Sequence, residues 1–240
     1  MMCANEISLN LKYYVFTALP ESLGRLTALT ILHLSSCHTL TGLPESLGQL
    51  AALQTLYIHN CPALTGLPGS LGQLAALTTL CILGCTALTE MPESLGQLTA
   101  LETLDLHFSL ALTRLPESLG HLTALTTLDL SCCEALTGLP ESVGQLQALQ
   151  MINIWRCVSL KRLPFSFAFI PVSCRANHFC SLFSLSFPSE HVAGQGMQAI
   201  KAFLLAHHHL LKIMIMVMAA RRRRMRRPPP ELWELIHDKI

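Results

Sequence analysis

Residues 53–74 read LQTLYIHNCPALTGLPGSLGQL, and residues 125–146 read LTTLDLSCCEALTGLPESVGQL. Both follow the frame L-x-x-L-x-L-x-x-C-x-x-L-x-x-L-P-E-S-L-G-Q-L, departing from it only at Ile58, Gly69 and Val143, and six such units start at Leu29, Leu53, Leu77, Leu101, Leu125 and Leu149. Pro20, Pro44, Pro68, Pro92, Pro116, Pro140 and Pro164 fall at intervals of 24, and Gly24, Gly48, Gly72, Gly96, Gly120 and Gly144 keep the same interval. A fixed period of this length marks a stacked architecture in which each unit is one supersecondary element.

The spacing inside a unit dictates its local structure. In L-x-L the two apolar residues are two apart, so they share one face of a short strand while the residue between them points the other way. Strands of about 3–4 residues are therefore predicted near Leu32, Leu56, Leu80, Leu104, Leu128 and Ile152. Proline then stands where a helical turn begins, with Glu and Ser in its first turn; Pro at N1 costs no helix bond and Glu suits the dipole. The glycine after that turn is expected to let the chain bend tightly back. One unit cannot bury its leucines, whereas parallel stacking at about 4.8 Å makes a continuous core and a sheet.

This pattern resembles the leucine-rich-repeat family over residues 19–164. The cysteine variant with L-P-x-S-L-G-x-L is similar to the repeats of plant intracellular disease-resistance receptors and of Ras-group leucine-rich-repeat proteins. The resemblance implies an α/β repeat solenoid, a right-handed superhelix with parallel strands on its concave face. For function it implies binding of a protein ligand on that face, often in signal transduction. No G-x-x-x-x-G-K-[ST] phosphate loop is present, so the nucleotide switch of those receptors is not implied.

Composition agrees with one solenoid domain. The 240 residues are 51% apolar and 13% charged, with aromatics at 6%. Net charge is +1 but uneven: residues 1–164 hold six Lys/Arg against eleven Asp/Glu, and residues 165–240 hold ten against four. Ten cysteines are present, and Met1 to Lys12 lacks a basic run followed by an apolar one. No secretory signal is expected, so a reducing compartment and free thiols are expected rather than a disulfide framework.

The flanks depart from the period. Residues 1–28 read as a degenerate N-terminal capping repeat in which Ile7, Leu9 and Leu11 alternate one residue out of register. Residues 165–195 are a degenerate C-terminal segment, where Ser173 and His178 do not fit a further strand. An apolar helix is predicted over 196–220, with Lys201, His208 and Lys212 as its polar stripe; it either covers the open end of the solenoid or lies on a membrane surface. A basic Pro-rich tail follows at 221–240, and its Arg221–Arg227 run suits nuclear import, an anionic surface or a solvated tail. Without stacking aromatics it argues against nucleic acid. Residues Pro229 to Ile236 resemble the opening of an F-box, which gives the alternative reading of a substrate adaptor for ubiquitination.

Two clusters invite a chemical reading. Cys37, Cys61, Cys85, Cys133 and Cys157 recur every 24 residues, with Ser109 in the remaining place. Zinc ligands come as local pairs such as C-x-x-C, so the ladder reads as structural, no metal is assigned, and no cofactor is expected. Asp105 and Asp129 hold the same outward position in adjacent units, with His107 two residues beyond Asp105. An acid–base role for these three is conceivable chemistry. No insertion interrupts any unit to wall off a pocket, so the cluster reads as part of a binding face and the chain as no enzyme.

The partner-binding residues follow from variation within the chain. The core positions hardly change between units, whereas the outward set His33, Tyr57, Cys81, Asp105, Asp129 and Asn153 varies, as does the set Ser35, His59, Leu83, His107, Ser131 and Trp155. Tyr57, His59, Asp105, His107, Asp129, Asn153, Trp155 and Arg156 are assigned to the partner-binding face. The expected partner is a protein that presents a basic segment. The chain is expected to act as a monomer in the cytoplasm, with a nuclear location resting on the arginine run.

Overall fold

The computed structural model describes residues 7–170 and 175–177, together with Gln198, Ala202 and Leu205, each helical and exposed. Apart from those three residues, the helix expected over 196–220 lies outside the described residues. So do the basic tail and the F-box-like end.

Among the described residues, eight strands form one sheet in sequence order, every neighbouring pair parallel. They are β1 (Ser8–Lys12), β2 (Ile31–Ser35), β3 (Thr55–His59), β4 (Thr79–Leu83), β5 (Thr103–Asp105), β6 (Thr127–Asp129), β7 (Met151–Asn153) and β8 (Arg175–Asn177). The six strands predicted from the L-x-L step are β2 to β7, each at its expected residue. β2, β3 and β4 run five residues, longer than predicted, while β5, β6 and β7 run three.

Register confirms the slip at the N-terminus. Leu9 pairs with Leu32, an offset of 23, whereas Leu32 pairs with Leu56 at an offset of 24. At the other end, where Ser173 and His178 do not fit the leucine pattern, a strand still follows. Arg175–Asn177 pairs with Met151–Asn153, because a parallel ladder is made by backbone groups and does not need the leucine pattern.

The core is a column for each leucine of the frame. Leu32, Leu56, Leu80, Leu104 and Leu128 are fully buried, as are Leu34, Ile58, Ile82, Leu106 and Leu130 one step along. Each such side chain stabilises the stack by roughly 1.5–3 kcal/mol.

The second layer is a row of 3-10 turns: Glu21–Arg25, Glu45–Gln49, Gly69–Gln73, Glu93–Gln97, Glu117–His121, Glu141–Gln145 and Phe165–Phe169. Their prolines stand one residue earlier than expected, at the N-cap and not at N1; Pro44 has φ −71° and ψ 153°. The proline carbonyl then accepts the N–H three residues on, as from Leu47 at 3.0 Å, which makes the turn 3-10.

Two columns lock successive turns together, and neither acts as the sequence suggested. The first-turn glutamates reach across to the next unit. Glu45 accepts the N–H of Gly69 at 3.1 Å and of Ser70 at 2.9 Å; Glu21, Glu117 and Glu141 do the same for Ser46, Ser142 and Ser166. They cap their neighbour's turn, not their own. The glycine column is likewise a matter of packing. A Cβ on Gly48 would lie 2.6 Å from the Ser70 carbonyl oxygen and 2.8 Å from its Cβ. These glycines let one turn lie directly on the next, and they do not have the positive φ a tight reversal would need.

Candidate partner-binding surface

The outward positions assigned from sequence share one row across the sheet. His33, Tyr57, Cys81, Asp105, Asp129 and Asn153 are consecutive register partners from β2 to β7. Asp105 and Asp129 are therefore neighbours on adjacent parallel strands, about 5 Å apart. The second expected row holds only for Ser35, His59 and Leu83. His107, Ser131 and Trp155 lie beyond the ends of the shorter strands, which corrects their placement as outward strand residues.

The cause is the chemistry at the first row. Asp105 Oδ1 accepts the His107 N–H at 3.1 Å, Asp129 Oδ1 accepts that of Ser131 at 2.8 Å, and Asn153 Oδ1 accepts that of Trp155 at 3.1 Å. Each Asx side chain captures the amide two residues on, as Asx turns do, and so ends its strand. His33, Tyr57 and Cys81 make no such bond, and their strands continue.

A residue with positive φ follows in every unit: Ser36, Asn60, Gly84, Phe108, Cys132 and Arg156, with Tyr13 in the slipped first unit. Sequence reasoning missed this column. Its signal was Asn60 and Gly84, the two residue types that enter this region at least cost.

Charge and burial divide the face. Toward the N-terminal strands a shallow hollow of about 260 Å³ is lined by Lys12, His33, Leu34, Ser35, Tyr57, His59 and Leu83. His33 meets the Tyr57 ring edge-on at 4.6 Å between centroids. Burial, with the charge of Lys12 second, lowers the His33 pKa and favours its neutral form. Cys81, buried between Tyr57 and Asp105, has its thiol pushed up to about 12 by burial and then by the Asp105 charge.

Toward the C-terminal strands the face becomes acidic. Asp105 Oδ1 lies 2.8 Å from His107 Nδ1. Asp129 Oδ1 also accepts the Ser131 hydroxyl at 2.6 Å, and its Oδ2 accepts Asn153 Nδ2 at 3.0 Å. His107, Asp105 and Asp129 thus share a neighbourhood; one oxygen of each aspartate ends its strand, and Asp129 Oδ2 is held by Asn153. Trp155 is 40% exposed. Arg156 lies 5.5 Å from the Trp155 ring centroid and 3.7 Å from Glu134, which draws it to the sheet margin.

The cysteine ladder is tied to backbone carbonyls. Cys37, Cys133 and Cys157 donate to the carbonyls of Leu11, Leu106 and Leu130 at 3.6, 3.3 and 3.1 Å. Ser109 makes the equivalent bond to Ile82 at 3.4 Å. Burial raises the thiols of Cys133 and Cys157, keeping them protonated.

A family model described as a leucine-rich repeat region matches residues 8–111, within the span where the strand ladder and turns repeat. Residues 7–170 have the fold of a leucine-rich-repeat solenoid. The leucine-rich repeat domain of the type III effector XopL is similar to it, at 24% identity and a TM-score of 0.50, covering 71% of this chain and 75% of that one. The plant peptide hormone receptor RGFR1, solved in complex with RGF2, shares 22% identity at a TM-score of 0.43 and covers 73% of this chain. The alignment spans 36% of that receptor. A leucine-rich-repeat protein of Leptospira interrogans shares 22% identity at a TM-score of 0.32, covering 71% of this chain and 65% of its own. A search of curated proteins returns no match.

Proposed function

We propose that this solenoid is a protein-interaction module for intracellular recognition or signalling, and that its strand face takes a partner presenting a basic segment. One observation carries the reading. Asp105 and Asp129 stand side by side on the exposed sheet, and the outward positions of β2 to β6 contain no Lys or Arg. A cationic segment laid there meets attraction without a competing positive charge. Binding is favoured over catalysis because the acidic pair lies on an open sheet, with its hydrogen bonds committed to the backbone and to Ser131 and Asn153.

The test is quantitative capture of partners from native lysate by the full chain, compared with Asp105→Asn plus Asp129→Asn. Asparagine keeps the strand-ending acceptor, as Asn153 shows, and removes the charge. The control is Glu45→Gln plus Glu117→Gln, which removes two charges from the turn side and keeps an acceptor for the next turn. Capture should fall in the first variant, persist in the control, and weaken as salt rises. Loss in the control alone would move the site off the strand face.

A further inference from the structure

Resting on that reading, we infer that the strand face recognises an extended peptide lying across the strands. Its side chain i fills the hollow at Tyr57, and basic side chains at i+2 and i+4 face Asp105 and Asp129. The sheet's shape sets the direction. Its strands are three to five residues long, while the strands follow one another for eight places, so the long dimension runs across them.

The spacing then follows from strand geometry. Parallel strands stand about 4.8 Å apart, so Tyr57 on β3, which lines the hollow spanning β1 to β4, lies about 10 Å from β5 and about 14 Å from β6. An extended peptide rises about 3.3 Å per residue and turns alternate side chains to the same side. Positions i+2 and i+4 therefore lie about 7 and 13 Å from the anchor. A flexible Arg or Lys covers the remainder to Asp105 and stands over Asp129.

The chemistry of the hollow and the charge gradient agree. Tyr57, Leu83 and neutral His33 line a site with room for one large apolar side chain. Lys12 lines the same hollow and disfavours a cation there. From β1 to β6 the face passes from one positive charge, through an apolar recess and buried Cys81, to two carboxylates. A peptide with the reverse order of apolar and basic residues along the sheet meets repulsion at one end and loses attraction at the other.

The experiment is fluorescence anisotropy with the full chain and three labelled synthetic peptides. The first carries Leu-Ser-Arg-Ser-Arg within Gly-Ser flanks. The second moves both arginines one residue toward the leucine, and the third replaces the leucine by alanine. The first should bind about tenfold or more tightly than the others. Asp105→Asn plus Asp129→Asn should erase its advantage over the shifted peptide, and Tyr57→Ala its advantage over the alanine peptide, with circular dichroism reporting that both variants fold. Equal binding of the first two peptides, with the aspartates still required, would overturn the pattern and leave the basic-partner reading standing. Binding indifferent to the aspartates would overturn both. Binding that appears only after residues 221–240 are removed would overturn the proposal in favour of the chain's own arginine run as occupant.

Discussion

Asn153 holds the backbone N–H of Trp155 on its side-chain oxygen at 3.1 Å, the service that Asp129 gives Ser131 in the neighbouring strand at 2.8 Å. The column needs an acceptor more than it needs a charge. Asp129→Asn keeps the Ser131 acceptor and loses the bond that Oδ2 accepts from Asn153 Nδ2, so a loss of about 0.5–1 kcal/mol in urea unfolding is expected. Asp129→Ala should cost about 1–2 kcal/mol, because the Ser131 amide loses its partner. Equal losses in the two variants would mean that the charge itself holds the strand end.

Three glycines should separate packing from backbone strain. Gly48→Ala drives a methyl into the Ser70 backbone, so a loss of about 1–3 kcal/mol is expected. Gly84 has φ +66° and nothing nearer than 3.8 Å, so alanine there should cost about 1–2 kcal/mol through its backbone alone. Gly66 meets nothing within 4 Å, and alanine should be neutral or slightly stabilising. Thermal unfolding of the three variants gives the order.

The capping glutamates make stability depend on pH. The Ser70 N–H first, with that of Gly69, holds the Glu45 carboxyl below its usual value of 4.5. A carboxylate depressed in the folded state contributes stability that is present above its unfolded pKa and lost as pH falls through its folded pKa. Urea midpoints should therefore decline as pH drops below the ordinary carboxylate range, and Glu45→Gln should decline less steeply. An identical pH profile for that variant would deny Glu45 its capping role.

Core and ladder positions should differ sharply in tolerance. Leu104 is fully buried, and Leu104→Ala should cost about 2–5 kcal/mol. Cys133→Ser should cost about 1 kcal/mol, since Ser109 already makes the cross-unit bond that Cys133 makes to Leu106. Denaturant titration of the two variants checks the contrast.

What the sequence revealed was whatever repeats inside one unit. Leu56 with Ile58 gave the strand and its inward face, and Ile7, Leu9 and Leu11 gave the slipped register of β1. Interactions between units were harder to see. Glu45 acts 24 and 25 residues away, on Gly69 and Ser70, so a reading confined to its own turn found only the dipole. The step from five-residue to three-residue strands was written at Cys81 and Asp105. It became legible only once the side chain was seen accepting the amide two residues on. β8 left no apolar signature because backbone pairing does not ask for one. The candidate face was legible as a row of varying residues; its division into a recess and an acidic half needed the burial of Cys81 and the hollow beside Tyr57.

The turn at Gly69–Gln73 begins with glycine where the other units from Glu21 to Glu141 have glutamate, so it has no side chain to reach across to Ser94. A stack of this kind is a one-dimensional array whose strength is set junction by junction. The junction without its clasp is one where β3 and β4 pair over five residues, so the longer ladder offsets the missing bond there. On that view each junction shares its strength between a strand ladder on one side and a glutamate clasp on the other, and Gly69 falls where the ladder is long.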